Sequence, residues 1–149
     1  MSERFHFELT ASRLDPRQLE AEVRTDQDGA VVTFAGVTRD HHAGAGVVSL
    51  AYEAYPEMAA EVVQRLFAQA AASWPIGRAR IAHRLGLVPV GEASVVICVA
   101  AAHRDAAFAA CRFLIDGLKH EAPIFKREQL TGDGGSRWVG DLPAGQQPL

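Results

Sequence analysis

Residues Ala93–Lys126 read ASVVICVAAAHRDAAFAACRFLIDGLKHEAPIFK, and this stretch decides the fold. Ala93–Ala102 is almost wholly apolar and rich in β-branched residues. Such a run marks a strand buried on both faces at the centre of a sheet. From about Arg104 to Lys119 the period changes to that of a helix, with Phe108, Cys111, Ile115 and Leu118 as its inner stripe. Pro123 forbids continuation, and Ile124–Glu128 reads as short and extended.

Upstream of this core, Ala79–Leu85 reads as a second strand, separated from the first by a turn around Pro89–Glu92. Pro56 opens a helix that runs to Ser73 and stops before Pro75. Its stripe is Met58, Val62, Leu66 and Ala70, widened by Val63 and Phe67. Val47–Ala54 alternates, with Val48, Leu50 and Tyr52 on one face and Ser49 and Glu53 on the other. Gly29–Val37 is a further β-rich run, joined to it by the polar, glycine-rich connection Thr38–Gly46. Near the start, Phe5–Leu9 suits an edge strand. A short helix follows, with Asp15 as N-cap, Pro16 first in the helix, Gln18 closing a capping box, and Leu19 and Val23 inward. Gly132–Ser136 reads as a flexible loop.

No internal repeat or interdomain linker interrupts residues 1–140, and residues 141–149 read as a flexible tail. Strands and helices mix without strict βαβ alternation. The expectation is therefore a single α+β domain, with a mixed or antiparallel sheet and packed helices.

The bulk chemistry narrows the function. The chain has 149 residues, 48% of them hydrophobic, ample for a core without a metal or disulfide staple. A net charge of −3 and a pI near 6.0 argue against general nucleic-acid or anionic-membrane binding. No apolar run reaches the roughly 18 residues of a membrane span, and MSERFHFELT lacks the layout of a secretory leader. Cys98 and Cys111 sit in apolar surroundings without CxxC spacing. They read as buried free thiols, which suits a reducing cytoplasm.

Basic residues are distributed unevenly. Of 15 Lys and Arg, only Lys119 and Lys126 are lysines. Arg supplies permanent charge, whereas a lysine amine can lose its proton when burial or neighbouring cations lower its pKa. The two lysines flank one helix end, so they are candidates for acid, base or nucleophile. A dipole-favoured cation at a helix C-terminus and a strand-surface charge are the plain alternatives.

Two other clusters suit anions. Arg39, His41 and His42 occupy the glycine-rich loop, where Arg offers a planar fork to phosphate oxygens and His can donate or carry a proton. His103 and Arg104 stand where a buried strand meets a helix N-terminus, whose free N–H groups attract anions. With Arg39 they sketch one anion pocket. A solvated loop and a simple cap are the alternatives. His83, among strand residues, reads as structural rather than as a ligand. There is no P-loop, GxSxG elbow or HExxH helix.

The stretches GAVVTFAGVTRDHH (29–42), LAYEAYPEMA (50–59), IAHRLGLVPVGE (81–92), AAHRDAAFAACRFLIDGLKHEAPIFKRE (101–128) and RWV (137–139), taken in order, resemble the MoaE family of molybdopterin synthase catalytic subunits. The resemblance implies an α/β hammerhead-type fold and a homodimer. Each copy would bind a small ubiquitin-like sulfur-carrier subunit of MoaD type, giving a heterotetramer. The thiocarboxylate on that subunit's tail would supply sulfur to cyclic pyranopterin monophosphate, forming the dithiolene of molybdopterin, so neither a metal nor an organic cofactor is expected. The resemblance makes Lys119 and Lys126 catalytic and Arg39, His103 and Arg104 substrate-binding, with Arg137 at a position that reaches a pocket across the dimer. His41 and His42 are accessory candidates from the loop itself.

Two other functions fit parts of the pattern. A non-catalytic module could dock a ubiquitin-like tail by strand pairing, but it would not need both lysines and the His-Arg pair. A phosphate-ester hydrolase would need a metal site or an activated nucleophile that the sequence does not display.

Overall fold

Residues 3–139 are described by the computed structural model. In chain order they form β1 (Phe5–Thr10), α1 (Pro16–Val23), β2 (Ala30–Val37), β3 (His41–His42), β4 (Ala45–Ala54), α2 (Pro56–Ser73), β5 (Ile76–Arg84), β6 (Gly86–Pro89), β7 (Ala93–Ala101), α3 (Arg104–Glu121), β8 (Ile124–Leu130) and β9 (Ser136–Val139), with one 3-10 turn at Gly132–Gly134. The expected tail, 141–149, lies outside the described residues.

The apolar run β7 is central, in a four-stranded sheet of order β1-β5-β7-β2. The edge strand β1 is parallel to β5, while β5–β7 and β2–β7 are antiparallel. The two-residue period of β7 divides its side chains between two cores. Val95, Ile97, Val99 and Ala101 pack with Val63, Leu66 and Phe67 of α2 and Leu114 and Leu118 of α3. Val96, Cys98 and Ala100 pack with Leu19 and Val23 of α1. Where α2 meets α3 the helices approach closely: a Cβ on Gly117 would lie 2.6 Å from the buried Leu66 side chain. The α1 N-terminus is capped by Asp15, whose carboxylate accepts from the Arg17 N–H at 3.0 Å. No reciprocal bond from Gln18 accompanies it among the described residues.

A second, antiparallel sheet runs β3-β4-β8-β9, with β6 on the free side of β4. Its small core is Val47, Leu50, Tyr52 and Val88. The α+β class holds, and one sheet is mixed while the other is antiparallel.

Several local expectations are corrected. Val48 is not on the inner face of β4: it is 52% exposed, while Val47 and Ser49 are buried. The ladder with β8 shifts register between Val47 and Ser49, so Val48 is the extra residue of a bulge that breaks the alternation. Met58 and Phe108 leave their predicted stripes and are 58% and 61% exposed. The buried faces are instead Ala59, Val63, Leu66, Phe67 and Ala70 on α2, and Ala107, Ala110, Cys111, Leu114, Ile115 and Leu118 on α3. Small alanines allow the close packing that larger side chains would prevent. The short strands β3, β6 and β9 were not anticipated. Ser136, expected in a loop, instead opens β9.

The two sheets are joined at Tyr52 of β4 and His83 of β5, whose rings meet edge-on with centroids 4.8 Å apart. His83 Nδ1 lies 2.9 Å from the Arg84 carbonyl oxygen. A carbonyl can only accept, so Nδ1 carries the hydrogen. Burial pushes the His83 imidazole from 6.5 down to about 4. Between these values the unfolded chain binds a proton that the folded chain refuses. Stability from this group is therefore present above pH 6.5 and declines as pH falls toward 4, by about 1.4 kcal/mol per unit. Urea denaturation of wild type and His83→Gln at pH 7.5, 6 and 5 tests this. The wild type should lose stability relative to the variant as pH falls, and parallel curves would contradict it.

Candidate functional site

Between the two sheets and the end of α3 lies a cavity of about 350 Å³, a size that suits a small ligand. Strand alternation builds one wall. Residues 124 to 130 of β8 turn Lys126 and Glu128 toward the cavity, while Arg127 points outward, its guanidinium 5.6 Å from the Trp138 ring centroid. Lys126 is paired across the sheet with Tyr52 on one side and Val139 on the other, which fixes its backbone. Lys119 reaches the same cavity from the last turn of α3. Arg39 comes from the loop after β2, and His41 and His42 from β3.

The electrostatics favour anions. Burial, the Lys119 charge and Arg39 together lower the Lys126 amine below the ordinary lysine value, and Glu128 only partly opposes them. Glu128 is 4% exposed and receives Arg137 Nε at 2.6 Å. Arg137 also donates to the His42 carbonyl at 2.8 Å. His42 Nδ1 is 2.9 Å from the second Glu128 oxygen. The contact falls outside hydrogen-bond geometry. Burial pushes the Glu128 carboxyl up, but Arg137 and His42 outweigh it and hold the group below its usual range. With Glu128 engaged in this way, Lys119, Lys126 and Arg39 leave the cavity positive. His41 stands at its rim, 2.7 Å from the exposed Asp40 carboxylate.

The expected cradle is thus assembled in part. Lys119, Lys126, Arg39, His41 and His42 converge. His103 and Arg104 do not join them within the chain. They sit exposed at the N-terminus of α3, whereas Lys119 is fifteen residues along the same helix. At 1.5 Å per residue the two ends are about 22 Å apart. The single-chain pocket linking Arg39 to His103 and Arg104 is therefore corrected. Arg137 braces Glu128 and the His42 backbone from β9 in its own chain. Sequence reasoning missed Glu128 and the cavity-lining face of His83. Glu128 was accessible from its position two residues after Lys126 on a strand. His83 was visible only as one polar residue in an apolar run.

A second groove, about 480 Å³, runs between α2 and the end of α3, past Met58, Arg65 and His120. Lys119, Ile124 and Phe125 line both spaces. Among the described residues, no cluster of three His, Cys, Asp or Glu side chains is arranged to hold a metal ion, and no helix is long and apolar enough to cross a membrane.

Known proteins match this chain closely. A family model described as MoaE protein matches residues 9–121, which include Arg39, His103, Arg104 and Lys119. The molybdopterin synthase catalytic subunit of Nostoc sp. is 42% identical over 134 residues, covering 89% of this chain and 81% of its own. That of Thermoplasma volcanium is 43% identical over 131 residues, covering 88% and 96%. The crystal structure of molybdopterin synthase from Staphylococcus aureus, 30% identical, has a TM-score of 0.85 and covers 91% of this chain and 97% of its own. A complex of subunits 1 and 2 of the molybdopterin-converting factor from Helicobacter pylori has a TM-score of 0.75 at 21% identity, and it speaks for the fold alone. The matched segment runs from before the Arg39 loop through Lys119, and relatives align over most of both chains: this protein belongs to the MoaE family.

Proposed function

We propose that this chain is the catalytic large subunit of a molybdopterin synthase. In this role it moves sulfur from the thiocarboxylate tail of a small ubiquitin-like subunit to cyclic pyranopterin monophosphate. The carrying observation is that both lysines of the chain and Arg39 line one cavity. A phosphate-bearing pterin and an acidic peptide end are both anions, and each needs the cations gathered there. In each transfer a C–S bond forms at a pterin carbon as a C–O bond to that carbon breaks, the leaving oxygen taking a proton; the acyl C–S bond then breaks as water adds its oxygen to the acyl carbon, leaving an ordinary carboxylate on the tail. Sulfur thus arrives with the partner, and no metal or organic cofactor is assigned.

Lys119 faces both the cavity and the neighbouring groove. An extended tail in the groove and a pterin in the cavity would meet at its amine. Lys119 is assigned activation of the thiocarboxylate and proton transfer, and Lys126 the stabilisation of developing negative charge. His103 and Arg104 return to an anion site only if a second copy supplies them, so a homodimer is the arrangement we assign, with one small subunit on each copy. The Helicobacter pylori neighbour was solved as a two-subunit complex, in keeping with that partner. The cytoplasm, where Cys98 and Cys111 would stay reduced, is the compartment assigned. A docking module without chemistry is the second reading, and it leaves the half-buried Lys126 amine unexplained.

Lys119→Ala should keep the melting temperature and bind the small subunit, yet lose about 10²–10⁴-fold in dithiolene formation. Normal product from that variant would remove Lys119 from the mechanism, and partner binding without product by the wild type would favour the docking module. If Lys126 acts as a cation, the rate should fall as pH rises through its lowered pKa. Lys126→Arg, which cannot deprotonate, should move that alkaline limb upward, and an unmoved limb in the pH–rate profile would refute the assignment. A doubly tagged heterodimer of Lys119→Ala and Arg104→Ala copies should regain about half the wild-type activity, because one of its two composite sites is intact. No recovery would contradict the shared site.

A further inference from the structure

His83 is a buried titratable side chain at the cavity that the mechanism above leaves unused. Its Nδ1–H is committed to the Arg84 carbonyl at 2.9 Å. In a neutral imidazole the other nitrogen then holds a lone pair. Only 5% of the residue is exposed, and that residue lines the cavity. Nε2 has no hydrogen-bond partner among the described residues, yet it is not one of the sealed, unpartnered polar atoms. The nitrogen that remains accessible is therefore an acceptor turned to the cavity. Arg39, Lys119, Lys126, Glu128, His42 and Tyr52 share that space with it. Most of these offer donors, which suits a ring that can only receive. Desolvation is the main force keeping the ring neutral, and the charges of Lys119 and then Lys126 act in the same direction. Tyr52, edge-on at 4.8 Å, and the β5 ladder hold the ring in place. Lys119, by contrast, ends a flexible four-carbon stem at a helix terminus.

We propose that His83 is a positioning residue: once the tail is bound, its free Nε2 lone pair takes a hydrogen bond from the Lys119 ammonium and aims that amine at the tail's reacting end. The inference rests on the sulfur-transfer function and deepens it. A fixed acceptor favours the charged amine and restricts its directions.

With two lysines in the chain, ¹³C-lysine labelling gives two ε-methylene resonances, which single lysine variants assign. His83→Asn keeps an amide near Nδ1 for the Arg84 carbonyl but removes the Nε2 acceptor. Its Lys119 ε-methylene resonance should move away from the wild-type position in the complex with the small subunit. Product formation by the complex with its small subunit should fall about tenfold in kcat, with KM and partner affinity unchanged. His83→Gln, whose longer side chain reaches toward the Nε2 position, should recover part of both. In the complex with the small subunit, the ¹⁵Nε2 resonance of His83 should move further in Lys119→Met than in Lys126→Met, a measurement that does not require any His83 variant to fold. An Nε2 resonance that moves no further in Lys119→Met than in Lys126→Met, or loss of activity that follows melting temperature with an unchanged Lys119 resonance, would overturn the proposal. A wild-type complex that makes no dithiolene would instead overturn the sulfur-transfer function, while the lysine and imidazole signals would still report on the His83 contact.

Discussion

Like charges in a confined, partly dry space repel, and this chain gathers three of them. Lys119, Lys126 and Arg39 line one cavity, and the Lys126 amine is held below its ordinary pKa by burial and by the other two. Such an arrangement persists only if the surrounding backbone cannot relax away from it. Here Lys126 is fixed by ladders on both sides of β8, and Lys119 by a helix packed along its whole inner face. The repulsion is relieved when an anion enters. The cavity therefore has a built-in preference for negatively charged ligands without any single dedicated phosphate motif.

Glu128 moderates this field without cancelling it. Its carboxylate faces the cavity, yet its oxygens are occupied by Arg137 and His42. The same contacts tie β9 and β3 to β8, so local charge balance and sheet assembly depend on one side chain. Losing it would leave the Arg137 guanidinium without its counter-charge beside the cations, a larger cost than the loss of one surface ion pair.

The central strand was legible because both of its faces are buried, so composition alone identified it. The lysine pair was legible because lysine is otherwise absent from the chain. The β4 alternation misled because one bulge residue, Val48, reverses the facing that a regular strand would give. Met58 and Phe108 misled because large apolar residues attract attention, while the buried helix faces mix alanines with Val63, Leu66, Phe67, Leu114, Ile115 and Leu118. His103 and Arg104 carried a sound local signal for anions, but a helix keeps its two ends apart however well both are suited to the same ligand. Sequence spacing contained that distance. It required the helix to be treated as a rigid rod rather than as a link between motifs.

The placement of the lysines has one more consequence. Away from the cavity and the groove beside it, the basic side chains Lys and Arg between residues 3 and 139 are all arginines, whose guanidinium groups acylating agents attack poorly at neutral pH. A protein that handles an activated acyl end must keep that end from forming amides at random. Both lysine amines of the chain open onto the cavity or the groove beside it, so such an electrophile meets an ε-amine only where the tail is to be handled.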